Sequence, residues 1–217
     1  MAVTTRPSDA LDEGRVARFD RVERMLHWTT AAMFGTLMCT GAVLYVGSLS
    51  ALVGRRELVR VVHVWTGLLL PIPLIIALVG PWRRALGDDV RRLNRWDDDD
   101  RRWMRSLGRD PFARPAKFNA GQKLNAAFVA GAAVVMLATG SVMHWFARFP
   151  DDWRTGATFV HDWTAIGLFV AITGHVGKAL ADPVALRGMI RGWVPAWWAR
   201  ANRPRWVQEP DVRADEG

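Results

Sequence analysis

The sequence predicts an all-α integral membrane protein built as a bundle of four transmembrane helices. Half of its 217 residues are hydrophobic although 23% are charged, and the two kinds of residue occupy separate blocks of the chain. Four blocks are apolar, and a helix needs about 20 such residues to cross a hydrocarbon core roughly 30 Å thick. This segregation is typical of a membrane protein.

The first two spans are expected at about 26–47 and 61–82. Residues 25–54 contain no Asp, Glu, Lys or Arg, and the same is true of the second block. Pro71 and Pro73 remove amide donors inside the second span. A bend is therefore expected there, since membranes tolerate such a defect when neighbouring groups bind the freed carbonyls.

The third and fourth spans are expected at about 124–145 and 159–179. The third lies in an uncharged block, 124–147, whereas the fourth is free of charge only over 163–177. The fourth helix must therefore accommodate Asp162 in its first turn, where an acid interacts favourably with the helix dipole.

The remaining segments are polar and are expected outside the membrane: an arm (1–24), a central loop (83–123) and a tail (181–217), around a membrane domain at 25–180. They carry 23 of the 29 lysines and arginines, Lys178 at the end of the fourth span is a 24th beside the tail, and five lie in the two other loops. The positive-inside rule then places both termini and the central loop in the cytoplasm. Tryptophans among the arginines of the tail favour an interfacial helix, with a partner-facing tail as the alternative.

Composition also restricts the kinds of ligand. A net charge of +8 can indicate a nucleic-acid partner, but the basic residues flank apolar blocks, so no nucleic acid is expected. Cys39 is the single cysteine, so any metal must be held mainly by histidine. The acidic run at 97–100 is expected to be a solvated turn or helix face in preference to a divalent-metal site.

Four of the five histidines form two pairs matched in depth. His161 and His175 are fourteen residues apart on the fourth span, which is roughly 21 Å along a helix and about 40° from superposition around it. They therefore share one face at opposite ends. With the orientation above, His175 lies at the cytoplasmic depth of His27, and His161 lies at the outer depth of His63.

Paired imidazoles suit low-spin haem iron, and burying an ionisable group in a membrane is costly unless it is neutral, ligated or paired. Two b-type haems are therefore predicted. The alternative is that these histidines sit among lipid headgroups, which is the role expected for His144. Glycines in the spans leave room for a flat macrocycle or allow close helix packing: Gly41, Gly67, Gly140, Gly167 and Gly174.

Several motifs resemble one family. They are RFDRVERMLHW around His27, RVVHVWTG around His63, KFNAGQK at 117–123, and RGMIRGW and RPRW in the tail. From about residue 18 to residue 206 the chain resembles the cytochrome b (gamma) subunit of membrane-bound formate dehydrogenase. The wider group of di-haem cytochromes b includes membrane subunits of hydrogenases and thiosulfate reductases.

The resemblance implies roles for particular residues. It implies that His27 and His175 bind a cytoplasmic-side haem, that His63 and His161 bind an outer-side haem, and that menaquinone or another quinone binds at Asn119, Gly121 and Gln122 beside His175. An amide side chain and free backbone N–H groups suit a quinone carbonyl. Without the resemblance, NAGQK is more simply interpreted as a cap and turn that begins the third span.

The resemblance further implies a bacterial inner-membrane protein with an iron–sulfur subunit on its outer side. Electrons would pass through the outer and then the inner haem to quinone, while a separate molybdopterin subunit oxidises formate. The complex could form a higher oligomer. One alternative is the di-haem subunit of a hydrogenase or another respiratory oxidoreductase. A second alternative is a haem-free membrane anchor.

Overall fold

The computed structural model describes residues 14–209, apart from the side chain of Ala85. The first part of the expected arm, 1–13, and the end of the expected tail, 210–217, lie outside the described residues. Among those described, helices dominate, as the sequence predicts.

In chain order, residues 14–209 form β1 Arg15–Ala17, α1 Arg21–Tyr45, α2 Gly47–Val53, α3 Arg56–Leu69, α4 Ile72–Val79, α5 Arg83–Asn94, α6 Asp98–Ser106, α7 Ala120–His144, α8 Asp151–Ala181, α9 Pro183–Arg191, β2 Trp193–Pro195 and α10 Ala196–Asn202. Short 3-10 turns occupy Phe146–Arg148 and Trp206–Gln208.

The chain divides into two compact units. The apolar unit comprises Met25–Pro81 and Ala127–Gly174, and the polar unit comprises, within the described chain, 14–24, 82–126 and 175–209. The apolar unit contains the greater part of each helix of membrane-spanning length, whereas the polar unit contains the arm, the central loop and the tail.

Within residues 14–209, three helical stretches are long and apolar enough to cross a membrane: Arg56–Val79, α7 and α8. A fourth is obtained if α1 and α2, which meet at 103°, form one bent span. Large hydrophobic side chains on these helices are widely exposed, including Val79 at 73% and Val134 at 69%. A membrane interior provides the apolar surroundings that such surfaces require.

The first span differs from the expected continuous helix at 26–47. Helix α1 already begins at Arg21 and ends at Tyr45. The Arg56 guanidinium donates to the Leu44 carbonyl at 2.9 Å and to the Ser50 hydroxyl at 3.1 Å. Arg56 thus binds a carbonyl in the last turn of α1, where carbonyls lack partners within the helix.

The other spans also lie at the expected places but begin four to eight residues earlier than the sequence predicts. The helix is interrupted between Leu69 and Ile72, where the prolines predict a bend. Helix α8 begins at Asp151, about two turns before the expected start, with Asp151 and Asp152 in its first turn. Acids at this end are favoured by the helix dipole, which explains the extension.

A small sheet corrects the all-α expectation. Strands β1 and β2 pair antiparallel with Val16 opposite Val194, joining the N-terminal arm to the tail. Both valines are fully buried in a cluster with Trp198 and Trp206. Residues 15–17 of the arm therefore form a packed strand, stabilised by removing these side chains from water.

The acidic run begins helix α6. Asp97 caps the helix by accepting from the Asp100 N–H, and the Asp100 carboxylate accepts from the Asp97 N–H. This reciprocal capping box satisfies two N–H groups at the helix start. The expected helix face is thus present, but Asp100 is buried, because it also binds the ammonium group of Lys123 at 2.6 Å.

Candidate functional site

His63 on α3 and His161 on α8 face each other within the apolar unit. Their ring centroids are 6.4 Å apart and their planes are inclined at 68°. Two imidazoles that bind one metal from opposite sides, with metal–nitrogen bonds of about 2.0–2.1 Å, have centroids roughly 6.3 Å apart. The predicted outer pair is therefore brought together at a spacing that suits a shared metal ion.

A hydrogen bond with Thr40 determines which ring nitrogen of His63 can bind a metal. The Thr40 hydroxyl lies 2.9 Å from His63 Nδ1 and donates its single proton to the Thr36 carbonyl at 2.6 Å. It must therefore accept from His63, which places the proton on Nδ1. The lone pair of Nε2 is left for a metal.

His161 has the same environment on another helix. The Thr139 hydroxyl lies 2.9 Å from His161 Nδ1 and donates to the Val135 carbonyl at 2.7 Å. By the same argument His161 carries its proton on Nδ1. The apolar surroundings favour the neutral form of each ring. In that form, with the proton on Nδ1, each ring has an Nε2 lone pair, which metal ligation requires.

The glycines named from the sequence fall into different groups. A Cβ at Gly41 or Gly140 would lie 3.4 Å from Cε1 of His63 or His161, so each of these glycines borders an imidazole. Gly67 faces Leu37 and Gly167 faces Phe128, as in close helix packing. The glycines next to the rings are those that follow the two threonines.

The remaining histidines lie on α1, α7 and α8. His27 is near the start of α1, with its ring 5.4 Å from that of Trp28. His175 is exposed on α8, and its pairing with His27 stays a prediction. His144 ends α7 beside Trp145, and its Nδ1 is buried without a hydrogen bond among the described residues.

The NAGQK segment begins α7 in the polar unit. Asn119 Oδ1 accepts from the Gln122 N–H at 2.9 Å, and Gln122 Oε1 accepts from the Asn119 N–H at 3.0 Å. This is a capping box, so the interpretation of NAGQK as a helix start is correct. Both interactions use the amide oxygens and direct the two NH₂ groups away from the cap.

Arg203 fixes the Gln122 amide further. Its guanidinium donates to Gln122 Oε1 at 3.2 Å and to the Asn202 carbonyl at 2.7 Å. Burial lowers the pKa of Arg203 to about 10, so the side chain stays charged at neutral pH. Since both partners of Gln122 Oε1 are donors, the orientation of the amide is defined.

Packing explains Gly121. A Cβ at this position would lie 2.6 Å from the Trp103 ring of α6. Only glycine fits this contact without a shift of the indole. Its role in the observed fold is therefore to let α6 cover the first turn of α7.

Sequence reasoning missed two sets of residues. Thr40 and Thr139 hold the imidazoles, but a Thr-Gly pair occurs in all four spans, at 40–41, 66–67, 139–140 and 173–174, so this pair alone does not identify them. Lys117 and Lys123, the first and last residues of KFNAGQK, are buried in ion pairs with carboxylates. Lysines at both ends of five uncharged residues were the corresponding signal.

Spanning helices with two facing imidazoles, each bonded through Nδ1 to a threonine, define a helical membrane protein arranged to hold a metal between histidines. Residues 18–192 match the prokaryotic cytochrome b561 family, and the chain belongs to that family. Membership implies a b-type haem. His63 and His161 fit this group by their spacing and by their available Nε2 atoms.

Curated relatives have closely related names. The chain is 26% identical over 211 residues to the formate dehydrogenase cytochrome b556 subunit of Haemophilus influenzae, covering 91% of this chain and 84% of that protein. It is 26% identical over 205 residues, 89% and 92% of the two chains, to the cytochrome b556(fdo) subunit of Escherichia coli K12 formate dehydrogenase. The nitrate-inducible cytochrome b556(Fdn) subunit of the same strain matches at 26% over 206 residues, 89% and 91%. The predicted resemblance is confirmed.

Proposed function

We propose that this chain is the membrane cytochrome b subunit of a formate dehydrogenase. It would pass electrons from an iron–sulfur subunit on the outer side to menaquinone or another quinone near the cytoplasmic side. The observation that carries the proposal is the facing pair of His63 and His161, at 6.4 Å with both Nδ1 atoms occupied. The names of the curated relatives support the choice of formate as the source of electrons.

The outer haem would be held by His63 and His161 through Nε2. When bound there, haem supplies a centre that accepts and releases one electron at a time. The protein's contribution is to keep both imidazoles neutral, oriented and surrounded by apolar helices. A group held by both histidines would suit electron transfer without substrate binding at the metal.

The second haem would be held by His27 and His175. The support comes from α8, where His175 follows His161 by fourteen residues, roughly 21 Å along one helix. The distribution of basic residues supports the assignment of the His161 end to the outer side and of the His175 end to the cytoplasmic side. One helix would then provide a ligand to each haem.

The quinone site would use the start of α7. With their oxygens engaged in the cap, Asn119 and Gln122 present NH₂ donors of the kind that a quinone carbonyl accepts. A cap and a quinone site are therefore compatible functions of the same residues. Gly121 and His175 complete the proposed site.

Both termini, the central loop 83–123 and the tail would lie in the cytoplasm, around the membrane domain at 25–180. Electrons moving inward then travel toward the negative side, at a cost near 2.3 kcal/mol per charge per 100 mV for a full crossing. A strong reductant such as formate is needed to drive them. Quinone that takes its protons from the cytoplasm would make turnover build a proton-motive force.

The electron donor is tested on the complex purified from its host through a tag on this chain. Formate should reduce the b-type haem, and the complex should contain a molybdopterin subunit and an iron–sulfur subunit. Hydrogen is the matched control and should cause no reduction. Reduction by hydrogen alone, with a nickel-containing partner, would contradict the assignment to formate dehydrogenase.

The quinone site is tested with two substitutions at one position. Gln122→Glu keeps an oxygen for the Asn119 N–H and Arg203 but removes the NH₂ donor, whereas Gln122→Ala removes both. Both variants should lose quinone reduction while retaining haem, and only Gln122→Ala should also lower the thermal midpoint. Full quinone reduction by Gln122→Glu would limit this residue to its capping role.

A further inference from the structure

We propose that Thr40 and Thr139 are positioning residues that set the reduction potential and ligand orientation of the outer haem. This inference rests on the proposed binding of haem by His63 and His161. Neither threonine touches the metal. Each acts on the Nδ1 side of an imidazole whose opposite nitrogen would bind iron.

The direction of each hydrogen bond follows from proton counting. A threonine hydroxyl has one proton, and both residues donate it to a carbonyl one turn earlier, to Thr36 at 2.6 Å and to Val135 at 2.7 Å. The hydroxyl oxygen is then available only as an acceptor. Each histidine must therefore be the donor, at 2.9 Å in both cases.

The two environments repeat each other on different helices. In α1 the sequence is Thr40-Gly41 and its histidine is on α3, and in α7 the sequence is Thr139-Gly140 and its histidine is on α8. Each glycine borders the ring, since a Cβ there would lie 3.4 Å from Cε1 in both. Each imidazole is thus held by a hydrogen bond on Nδ1, with a glycine beside the adjoining carbon.

The consequence for the metal follows from ligand basicity. An imidazole that donates its Nδ1 proton to an acceptor is a more basic ligand at Nε2 and is held in one orientation. A more basic ligand stabilises the oxidised iron and lowers the reduction potential. Both axial ligands of the outer haem are affected in the same direction, so the threonines together bias this haem toward the oxidised state.

The test compares Thr40→Val, Thr139→Val and the double variant in the purified complex. Valine keeps the branched shape and removes the acceptor. Potentiometric titration should show the potential of the haem that depends on His63 rising in each variant, by up to about tenfold in the ratio of reduced to oxidised haem, or about 59 mV for one electron. The other haem should titrate as in the unmodified protein.

Two control variants distinguish the loss of the hydrogen bond to the imidazole from a change in helix packing. Thr40→Ser keeps the hydroxyl and should retain the original potential. Thr36→Val makes the same change one turn earlier in α1, where the hydroxyl bonds the Ala32 carbonyl at 3.0 Å, and should have no effect on either haem. Electron paramagnetic resonance of the oxidised outer haem, which responds to the angle between the imidazole planes, should change in the two valine variants at 40 and 139 only.

The possible failures are distinguishable. If haem is present and depends on His63 and His161 but its potential and resonance are unchanged in the double valine variant, the positioning role is wrong and the proposed haem site stands. If no haem depends on these histidines in the unmodified protein, both the site and the inference fail.

Discussion

The two units bury polar groups by different means. In the polar unit, Lys123 and Asp100 form an ion pair with side chains only 4% and 6% exposed, and Lys117 contacts both Glu23 and Asp89. In the apolar unit, the half-buried imidazoles of His63 and His161 are bonded to hydroxyl groups. The polar unit thus buries charges in pairs, whereas the ion pairs of the apolar unit are at exposed positions and its half-buried rings bond neutral partners.

The difference follows from the surroundings of each unit. A charge within a membrane is costly even when paired, whereas a neutral imidazole with its N–H bonded is tolerated. Outside the membrane, buried ion pairs can fix one segment against another. The polar unit therefore holds the helix-α7 start in place, and the apolar unit keeps its imidazoles available for ligation.

The largest effect on stability is expected from Lys123→Met. The substitution leaves the buried Asp100 carboxylate without its cation and also removes the bond from Nζ to the Arg95 carbonyl. Breaking a buried pair from one side costs about 3–5 kcal/mol of unfolding free energy. Chemical unfolding in detergent measures it.

The matched control is Lys123→Met combined with Asp100→Asn. Asparagine keeps an oxygen for the Asp97 N–H but removes the stranded charge, so the double variant should be more stable than Lys123→Met alone. Equal stability of the two variants would mean that charge pairing does not determine the packing of this unit.

An intermediate effect is expected from glycine substitutions in the two units. Gly121→Ala forces its Cβ against Trp103 and should cost about 1–3 kcal/mol of unfolding free energy. Gly131→Ala lies at an exposed position of α7, where a Cβ meets no described atom within 4 Å, and should be neutral or slightly stabilising. Similar losses in both variants would remove the packing explanation for Gly121.

The smallest effect is expected from Arg101→Gln. Arg101 pairs with Asp98 at 3.0 Å in the polar unit, but both side chains are largely exposed. Exposed pairs contribute little because water and salt screen them. The thermal midpoint should stay close to that of the unmodified protein, and a loss comparable to that of Lys123→Met would show that charge, and not burial, controls stability here.

The spans and the closeness of His63 and His161 were predictable because they depend on simple patterns. Long uncharged blocks define the helices, Pro71 marks the interruption of the second, and the distribution of basic residues predicts one depth for His63 and His161. The structure adds their 6.4 Å separation, which no pattern of residues specifies. The depth of a histidine can be predicted from the residues near it in the sequence, whereas the distance between two rings depends on how their helices pack.

The parts that were not predicted depend on long-range contacts. Strand β1 is three residues long in an arginine-rich arm and exists because it pairs with β2, far along the chain. Asp100 is buried by a lysine 23 residues away, and each threonine acts on a histidine of another helix. Periodicity within one segment carries no signal for such partners.

The central claim is that His63 and His161 hold one haem while His27 and His175 hold another. Haem quantitation with reduced-minus-oxidised spectra of the purified chain and its single variants tests it most directly. Two b-type haems are expected, with His63→Ala and His161→Ala each losing the same one and His27→Ala losing the other. Absence of haem despite its supply during expression, or loss of both haems in His63→Ala with the fold intact, would contradict the claim.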